Sequence, residues 1–596
     1  MQSLDKFKPD VIRFLGGVAA GLLLVGVACG AAATATPAPG KPAQPSAAQP
    51  AAPASPAAAA TPVPKAAPTT APVPAASVVN PGKLTWMTGG WGSERFDYNF
   101  STFAGSNFAR ILHGWLIATN EKTELLPGIA SRWEMSPDGK TWTFTIRDGA
   151  GFHDGKKITA EDVWWSWMHY WGKDASGSAE ERTTASTSQV MARATEKIEL
   201  TSHNQVSFTN KSPDPSFPAG IVSEAASLWY VVLPRRPKVH DAAQEAAYDK
   251  DPIGAGPGKL VRHVPADLMA FERFDDYYYQ PKNGLPEDRR LKFKSLDVRL
   301  VPEEATRVAA IRAGGADIAP ASLATRAQVE AGGGRLVFGP EGIYVRWQLH
   351  GCWNPQYPCH DKRVRQALDY AINKELIRDR LYGGPEAFVV KGWNLWVPST
   401  IGYSPDIDPW PQDVAKARKL LADAGYPGGK GFGNLILNTY VSSSAPFLVE
   451  SGQLAADFWR RELGLDVEVK VRDETEVKRA RTRGELHGQV MWTDGSGELD
   501  RSRSFESNYG DPAHVSRVHG DPEIFELTKQ ALAVIDPTKR EEALIKLAKR
   551  LREESYESSI GYNNIPWAVG PRVVAWQPWP MAGYPTNLYG IVLKLP

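Results

Sequence analysis

One stretch of this 596-residue chain is barred from folding by its composition. From Gly30 to about Asn80 it is almost only Ala, Pro, Thr, Ser and Val; its sole charges are Lys41 and Lys65, and it has no aromatic residue. Such a segment buries too little apolar surface to offset the entropy of ordering. Its prolines bias it toward extended polyproline II, a semi-rigid tether with a reach on the order of 100 Å. Ahead of it, Lys6, Lys8 and Arg13 lead into an apolar run from Phe14 to Ala28 that stops at Cys29. A positive start followed by an apolar run shorter than the roughly 17–25 residues that span a bilayer reads as an export signal. The folded body is therefore expected after Asn80, outside the cytoplasmic membrane.

The whole chain carries 68 basic and 67 acidic side chains, and loss of residues 1–28 removes three and two of them. A mature chain so close to neutral argues against a nucleic-acid binder and against a polybasic membrane surface. With 42% apolar residues overall, diluted by the tether, the body has ample core. No later apolar run is long enough to cross a membrane. Besides Cys29, the cysteines are Cys352 and Cys359 in HGCWNPQYPCH. In an oxidising compartment that pair is most simply a disulfide closing a small loop. His350 and His360 bracket it, so a Cys2His2 metal site is the alternative, although the spacing is not the usual one of zinc sites.

Local patterns place elements along the body. Lys83–Met87 reads as a strand ending at Gly89 and Gly90, and Ser106–Leu116 has helical spacing of Phe108, Ile111, Leu112 and Trp115. Ser131–Met135 and Thr141–Ile146 alternate around Pro137-Asp138-Gly139, a hairpin signal. Thr159 can cap a helix with an acidic first turn, and Val163, Trp164, Trp167 and Met168 recur on one face of it. Val364, Leu368, Ala371, Ile372 and Leu376 form a second such face. Ala417, Leu420, Leu421 and Ala424 form a third, with Gly425 placed to stop it. Alternating short strands and helices indicate an α/β body.

The run LLPGIASRWEMSPDGKTWTFTIRDGAGFHDGKKITAEDV resembles the signature region of extracytoplasmic solute-binding proteins of family 5, the dipeptide-, oligopeptide- and nickel-type receptors of ABC importers. DPIGAGPGKL (251–260), Tyr277–Tyr279, AAIRAGGADIA (309–319), DKRVRQALDYA (361–371), AKARKLLADAGYP (415–427) and DPTKR (536–540) are similar to further motifs of that family, in order. Cys29 likewise resembles the lipobox cysteine of bacterial lipoproteins; Val27 and Ala28 suit the positions before it, while Gly26 stands where Leu is usual. The resemblance implies an α/β fold of the type II periplasmic-binding-protein kind: two lobes joined by hinge strands, with an extra subdomain. On that basis residues 1–28 are a signal, 29–80 the tether and 81–596 the body. Lobe 1 is expected at roughly 81–115, 235–340 and 540–596, the inserted subdomain at roughly 116–234, and lobe 2 at roughly 341–539.

The same resemblance implies a monomeric, lipid-anchored receptor on the outer face of the cytoplasmic membrane. Such a receptor closes its lobes on a solute and hands it to permease subunits served by an ATPase. Peptide is the default ligand, an oligosaccharide the alternative, and nickel or a metal chelate a third. No cofactor, metal or nucleic-acid partner is expected, and no enzyme motif appears: GAGPGK lacks the spacing and hydroxyl of a phosphate loop. An extracellular hydrolase is the distant alternative.

Asp494 is the sharpest ligand candidate. In peptide-binding relatives an aspartate ending a W-x-x-D-Y strand pairs with the peptide's amino terminus; here Trp492-Thr493-Asp494 fits and Gly495 replaces the tyrosine. A turn aspartate is the plain alternative. Arg346, in the strand Tyr344–His350, could meet a ligand carboxylate or form a structural ion pair. Trp91, Trp393, Trp396 and Trp492 sit in loop contexts where flat rings could wall a cleft and stack on a peptide or a sugar.

Overall fold

The computed structural model describes residues 82–594 except 91–93, 98–107, 174–190, 193, 225–229, 237–241, 443–444, 497–498, 515–516 and 581–584. The chain divides into two units, Met1–Ala75 and Ala76–Pro596, and every described residue belongs to the second. The signal, the tether with Cys29, and Trp91 lie outside the described residues.

Most local expectations are met by elements that the sequence chemistry explains. Strands Ala130–Met135 and Thr141–Ile146 pair antiparallel, and Gly139 takes φ 72° at their turn, where glycine adopts a left-handed conformation at little steric cost. With Gln205–Asn210 and Thr195–Ser202 they make a four-stranded sheet. Helix α1 (Ala160–Trp171) begins in a capping box between Thr159 and Asp162 and ends on left-handed Gly172. Trp164 and Met168 are only half-buried, whereas Trp165 and Trp167 are buried. The helix expected over Ser106–Leu116 is a short turn, Ala109–Leu112; beyond it Gly114 bridges to Val232 instead.

Helix α2 (Lys362–Ala371) stops before Leu376, because the Asn373 side chain accepts from the Leu376 amide and caps a separate short helix. Leu376 is consequently exposed rather than part of the α2 face. Helix α3 (Val414–Asp423) buries Ala417 and Leu421, and Gly425 follows at φ 98°.

Among the described residues the main sheet has eleven strands. In chain order these are β1 (Lys83–Thr88), β2 (Gly258–Val264), β3 (Leu268–Arg273), β4 (Ser295–Leu300), β5 (Ile318–Pro320), β6 (Arg335–Leu349), β7 (Phe388–Val389), β8 (Asn434–Tyr440), β9 (Asp466–Arg472), β10 (Val490–Ser496) and β11 (Glu557–Val569). Their spatial order is β9-β8-β10-β6-β11-β5-β1-β4-β3-β2, with β7 paired on β11. β1 and β4, and β8 and β9, pair parallel, while β6 and β11 pair antiparallel along nearly their whole length.

Two large hydrophobic cores flank this long pair. The first gathers Trp86, Phe271 and Val298 with Trp142, Phe144 and Phe208 of the smaller sheet. The second gathers Val345, Trp347, Leu437 and Trp492 with Trp459 of helix α4 (Leu448–Leu463), and it also takes Leu544, Leu547 and Leu551 of helix α6 (Pro537–Glu554) and Ile560. Helix α5 (Glu474–Thr482) adds Val477 and Ala480. Between the cores the β6–β11 register breaks from Gly339 to Ile343. There Glu341 sits at φ 57°, its backbone amide donating to Asn564 Oδ1 and its carboxylate accepting from the Ser399 amide. Leu125 and Ile565 pack against both cores. Ala219 belongs to the second core while its neighbours Phe217, Ile221 and Val222 belong to the first.

Candidate functional site

Asp494 lies near the end of β10, opposite Val345 of β6. β10 also pairs parallel with β8, which brings Tyr440 alongside. The Tyr440 hydroxyl donates to Asp494 Oδ1 at 2.6 Å and lies 2.7 Å from Thr493 Oγ1; the Ser442 hydroxyl donates to Oδ2 at 2.8 Å. Burial, reinforced by the carboxylate charge of Asp494, holds the Tyr440 phenol well above its ordinary pKa, so it is a fixed donor. Asp494 itself is half-buried. The two hydroxyls fix the orientation of the carboxylate. A carboxylate held this way at a strand end is a charged acceptor of the kind that pairs with a cationic group.

The replacement of the motif tyrosine by Gly495 has a steric cause. A Cβ at Gly495 would lie 2.1 Å from the Tyr344 hydroxyl. Tyr344, across the strand pair at Gly495, therefore fills the volume that the motif residue would need.

Arg346 turns inward. Its Nη1 donates to Asn394 Oδ1 and lies 3.4 Å from Glu557 Oε2, which also accepts from Gln348 Nε2 at 2.8 Å. Asn394 and the Tyr509 hydroxyl donate to the other oxygen, Glu557 Oε1. Glu557 is fully buried; burial pushes its pKa up, and the Arg346 charge opposes that. The guanidinium is thus engaged in an ion pair inside the second core, which favours the structural alternative over contact with a ligand carboxylate.

Of the tryptophans expected to wall a cleft, the three among the described residues are core residues. Trp393, Trp396 and Trp492 are 1%, 0% and 0% exposed, so they offer a ligand no surface. Trp393 and Trp396 close a turn by reciprocal backbone hydrogen bonds of 2.9 and 3.0 Å, and Trp396 stacks 4.3 Å from Phe505. Trp492 Nε1 donates to Ser451 Oγ at 2.9 Å, and Gly452 leaves room for its ring, where a Cβ would sit 3.2 Å away. Loop context in the sequence did not mean exposure, because partners far along the chain cover these rings.

Cys352 and Cys359 are bonded to each other with Cα atoms 5.2 Å apart. Buried His350 is pushed down to about 3 by burial first and then by Arg481 and Arg346, so it is neutral. His360 Nδ1 lies 3.3 Å from Cys352 O. The glycine-rich 254–258 segment is a packing turn: a Cβ at Gly254 would be 1.8 Å from Leu112 O, and one at Gly256 2.4 Å from Ile111 O. A polar cavity of about 30 Å³ beside the first core, lined by Arg110, Glu224, Tyr279 and Arg289 among others, has room for about two waters and is no peptide site.

Sequence reasoning missed Tyr440, Ser442 and Tyr344 around Asp494. Tyr440 ends the apolar strand LILNTY and Ser442 follows it, and nothing in the sequence marks either apart from ordinary strand and loop residues.

Residues 124–513 match the model of the bacterial extracellular solute-binding proteins, family 5. The dipeptide-binding protein of Escherichia coli K12 is 27% identical over 327 residues, which span 52% of this chain and 56% of that protein. Heme-binding protein A of Haemophilus influenzae is 24% identical over 469 residues, 76% of this chain and 80% of that one. Among solved structures, the periplasmic binding protein DppA of Helicobacter pylori, in complex with the peptide STSA, superposes with a TM-score of 0.65 at 20% identity, over 86% of this chain and 99% of that chain.

Proposed function

The chain belongs to the bacterial extracellular solute-binding proteins of family 5, and from that premise we propose that it captures a peptide outside the cytoplasmic membrane and delivers it to an ABC permease. The observation that carries the ligand class is Asp494: a half-buried carboxylate at a strand end, oriented by Tyr440 and Ser442. An α-ammonium brings three N–H donors and one positive charge. Charge-assisted bonds of this kind are roughly twice as strong as neutral ones. The oligosaccharide alternative drew on the loop tryptophans, and the burial of Trp393, Trp396 and Trp492 weakens it.

Two lobes are built on the two cores. Lobe 1 comprises residues from 82 to about 340 together with those after about 563, and lobe 2 comprises about 343–562. This moves residues 540–562 from the first lobe to the second, since Leu544, Leu547, Leu551 and Ile560 pack there. β6 and β11 are the hinge strands, and the irregular register at Gly339–Ile343 is where backbone rotation is absorbed on closure. The protein makes and breaks no covalent bond; its work is capture and release. Residues 1–28 export it as a monomer and Cys29 carries the lipid. The 29–80 tether raises its effective concentration near the permease.

The test is Asp494→Asn, which keeps shape and removes charge. Loss of one partner of a desolvated ion pair costs about 3–5 kcal/mol, a weakening of at least about 100-fold. Calorimetric titration with a peptide that binds the unmodified protein should show that loss, and equal affinity for the two proteins would refute the assignment.

A further inference from the structure

The polar cavity of about 30 Å³ beside the first core is closed by distant parts of the chain, among them Arg110, Tyr279, Arg289 and Tyr589. Glu224 ties two of them together. Arg110 Nη1 donates to its Oε1 at 3.0 Å, and Arg289 Nη1 donates to its Oε2 at 3.3 Å. Arg289 Nη2 also donates to Thr119 O at 2.7 Å. The same guanidinium lies over two phenol rings, 4.3 Å from the Tyr279 centroid and 5.0 Å from that of Tyr589.

The hydroxyls of those two tyrosines, both in the cavity wall, are buried and have no hydrogen-bond partner among the described residues. Tyr279 is only 1% exposed. Burial pushes its phenol up to about 12 and that of Tyr589 well above its ordinary value, so each keeps its proton and brings an O–H donor. A buried donor without an acceptor is costly. The surroundings are also short of negative charge. His113, in the same wall, is pushed down to about 3 by burial and is neutral. Arg147 stands within electrostatic reach of Tyr279, and it donates to the carbonyls of Gly128 and Asn283, at 3.1 and 3.0 Å, rather than to a carboxylate. The three guanidinium groups of Arg110, Arg147 and Arg289 are thus set against two carboxylates, Glu224 and Glu287. Glu287 is 44% exposed, so water screens it.

Unpaired donors and an excess of positive charge around a small enclosed space call for an acceptor that is itself negative. We propose that this cavity binds one small monovalent anion, a halide such as chloride, held by the hydroxyls of Tyr279 and Tyr589 beside the Arg110 and Arg289 guanidinium groups. Space for about two waters suits one such ion. Water would accept from the hydroxyls and leave the positive excess in place. The anion joins Tyr589, in the last described segment, to Tyr279 and to the chain Arg289–Glu224–Arg110. Its effect is on the stability of this part of the body, and it does not depend on the ligand held at Asp494.

The experiment melts the full-length protein, dialysed free of chloride, as sodium chloride replaces sodium gluconate at constant ionic strength. An ion that binds only the folded state raises the melting temperature, here by about 3 °C between about 1 and about 300 mM chloride. The double variant Tyr279→Phe with Tyr589→Phe keeps both rings over Arg289 and removes both donors, so its rise should shrink to about 1 °C or less. Bromide in place of chloride, in crystals of the unmodified protein, should give an anomalous scattering peak inside the cavity. Equal melting in the two salts, an undiminished rise in the double variant, or a cavity that holds waters and no bromide each overturns the inference. Should the double variant fail to fold, the bromide peak decides by itself.

Discussion

Acidification should destabilise this protein through histidines that the fold keeps neutral. His153 and His519 are the best defined. His153 Nδ1 accepts from the Gly254 amide at 3.3 Å, leaving Nε2 to donate to Gly256 O at 3.0 Å. His519 repeats the arrangement, accepting from the Asp521 amide at Nδ1 and donating from Nε2 to Tyr509 O, both at 3.2 Å. Each ring must be neutral with its proton on Nε2, because protonating Nδ1 would set one N–H against another. Burial pushes both from 6.5 down to about 4. A folded pKa below the unfolded one means that the unfolded chain binds more protons between the two values. Stability is therefore full above about pH 6.5 and declines as the pH falls toward 4.

At pH 5 each ring forfeits about 2 kcal/mol, from 1.36 kcal/mol per unit of separation. His113 and His350, both pushed down to about 3 by burial, add similar amounts. Guanidinium unfolding at pH 7, 6 and 5 should show ΔG falling steeply, and His153→Gln or His519→Gln should each remove about 2 kcal/mol of that fall. Glutamine can accept and donate in the same places without taking up a proton. A flat stability between pH 7 and 5, or variants with the unmodified slope, would refute the reasoning.

Two other outcomes follow from the packing. Cys352→Ser should cost about 2–3 kcal/mol, the loop-entropy value for a short closed loop, and chemical denaturation under non-reducing conditions measures it while peptide affinity stays unchanged. Arg346→Ala leaves the buried Glu557 carboxylate without its cation, a loss of about 3–5 kcal/mol in stability. Titration of the folded fraction should still give the unmodified protein's peptide affinity, whereas a ligand-contact role would lower it.

What was legible in the sequence was what short-range chemistry decides. The Pro-Asp-Gly turn, the Thr159 cap and the stop at Gly425 each rest on a few adjacent residues. The reason for Gly254 and Gly256, the approach of the Leu112 and Ile111 carbonyls, comes from over a hundred positions upstream and is not written in their neighbours. Asp494 was found because a motif marks it; its orienting Tyr440 is 54 positions away and arrives only through the β8–β10 pairing. Arg346 finds Glu557 across 211 positions, a contact set by strand pairing and not by local pattern. The same limit explains the tryptophans: KGWNLWVP reads as a loop, and the rings that cover Trp396, Phe505 and Tyr509, lie more than a hundred residues later.

Mass spectrometry of the ligand released by denaturing the protein, purified from cells growing in a peptide-rich medium, tests the central claim most directly. The account predicts short peptides with free amino termini, absent from Asp494→Asn prepared in parallel. Recovery of an oligosaccharide, a heme or a metal chelate with no peptide would contradict it.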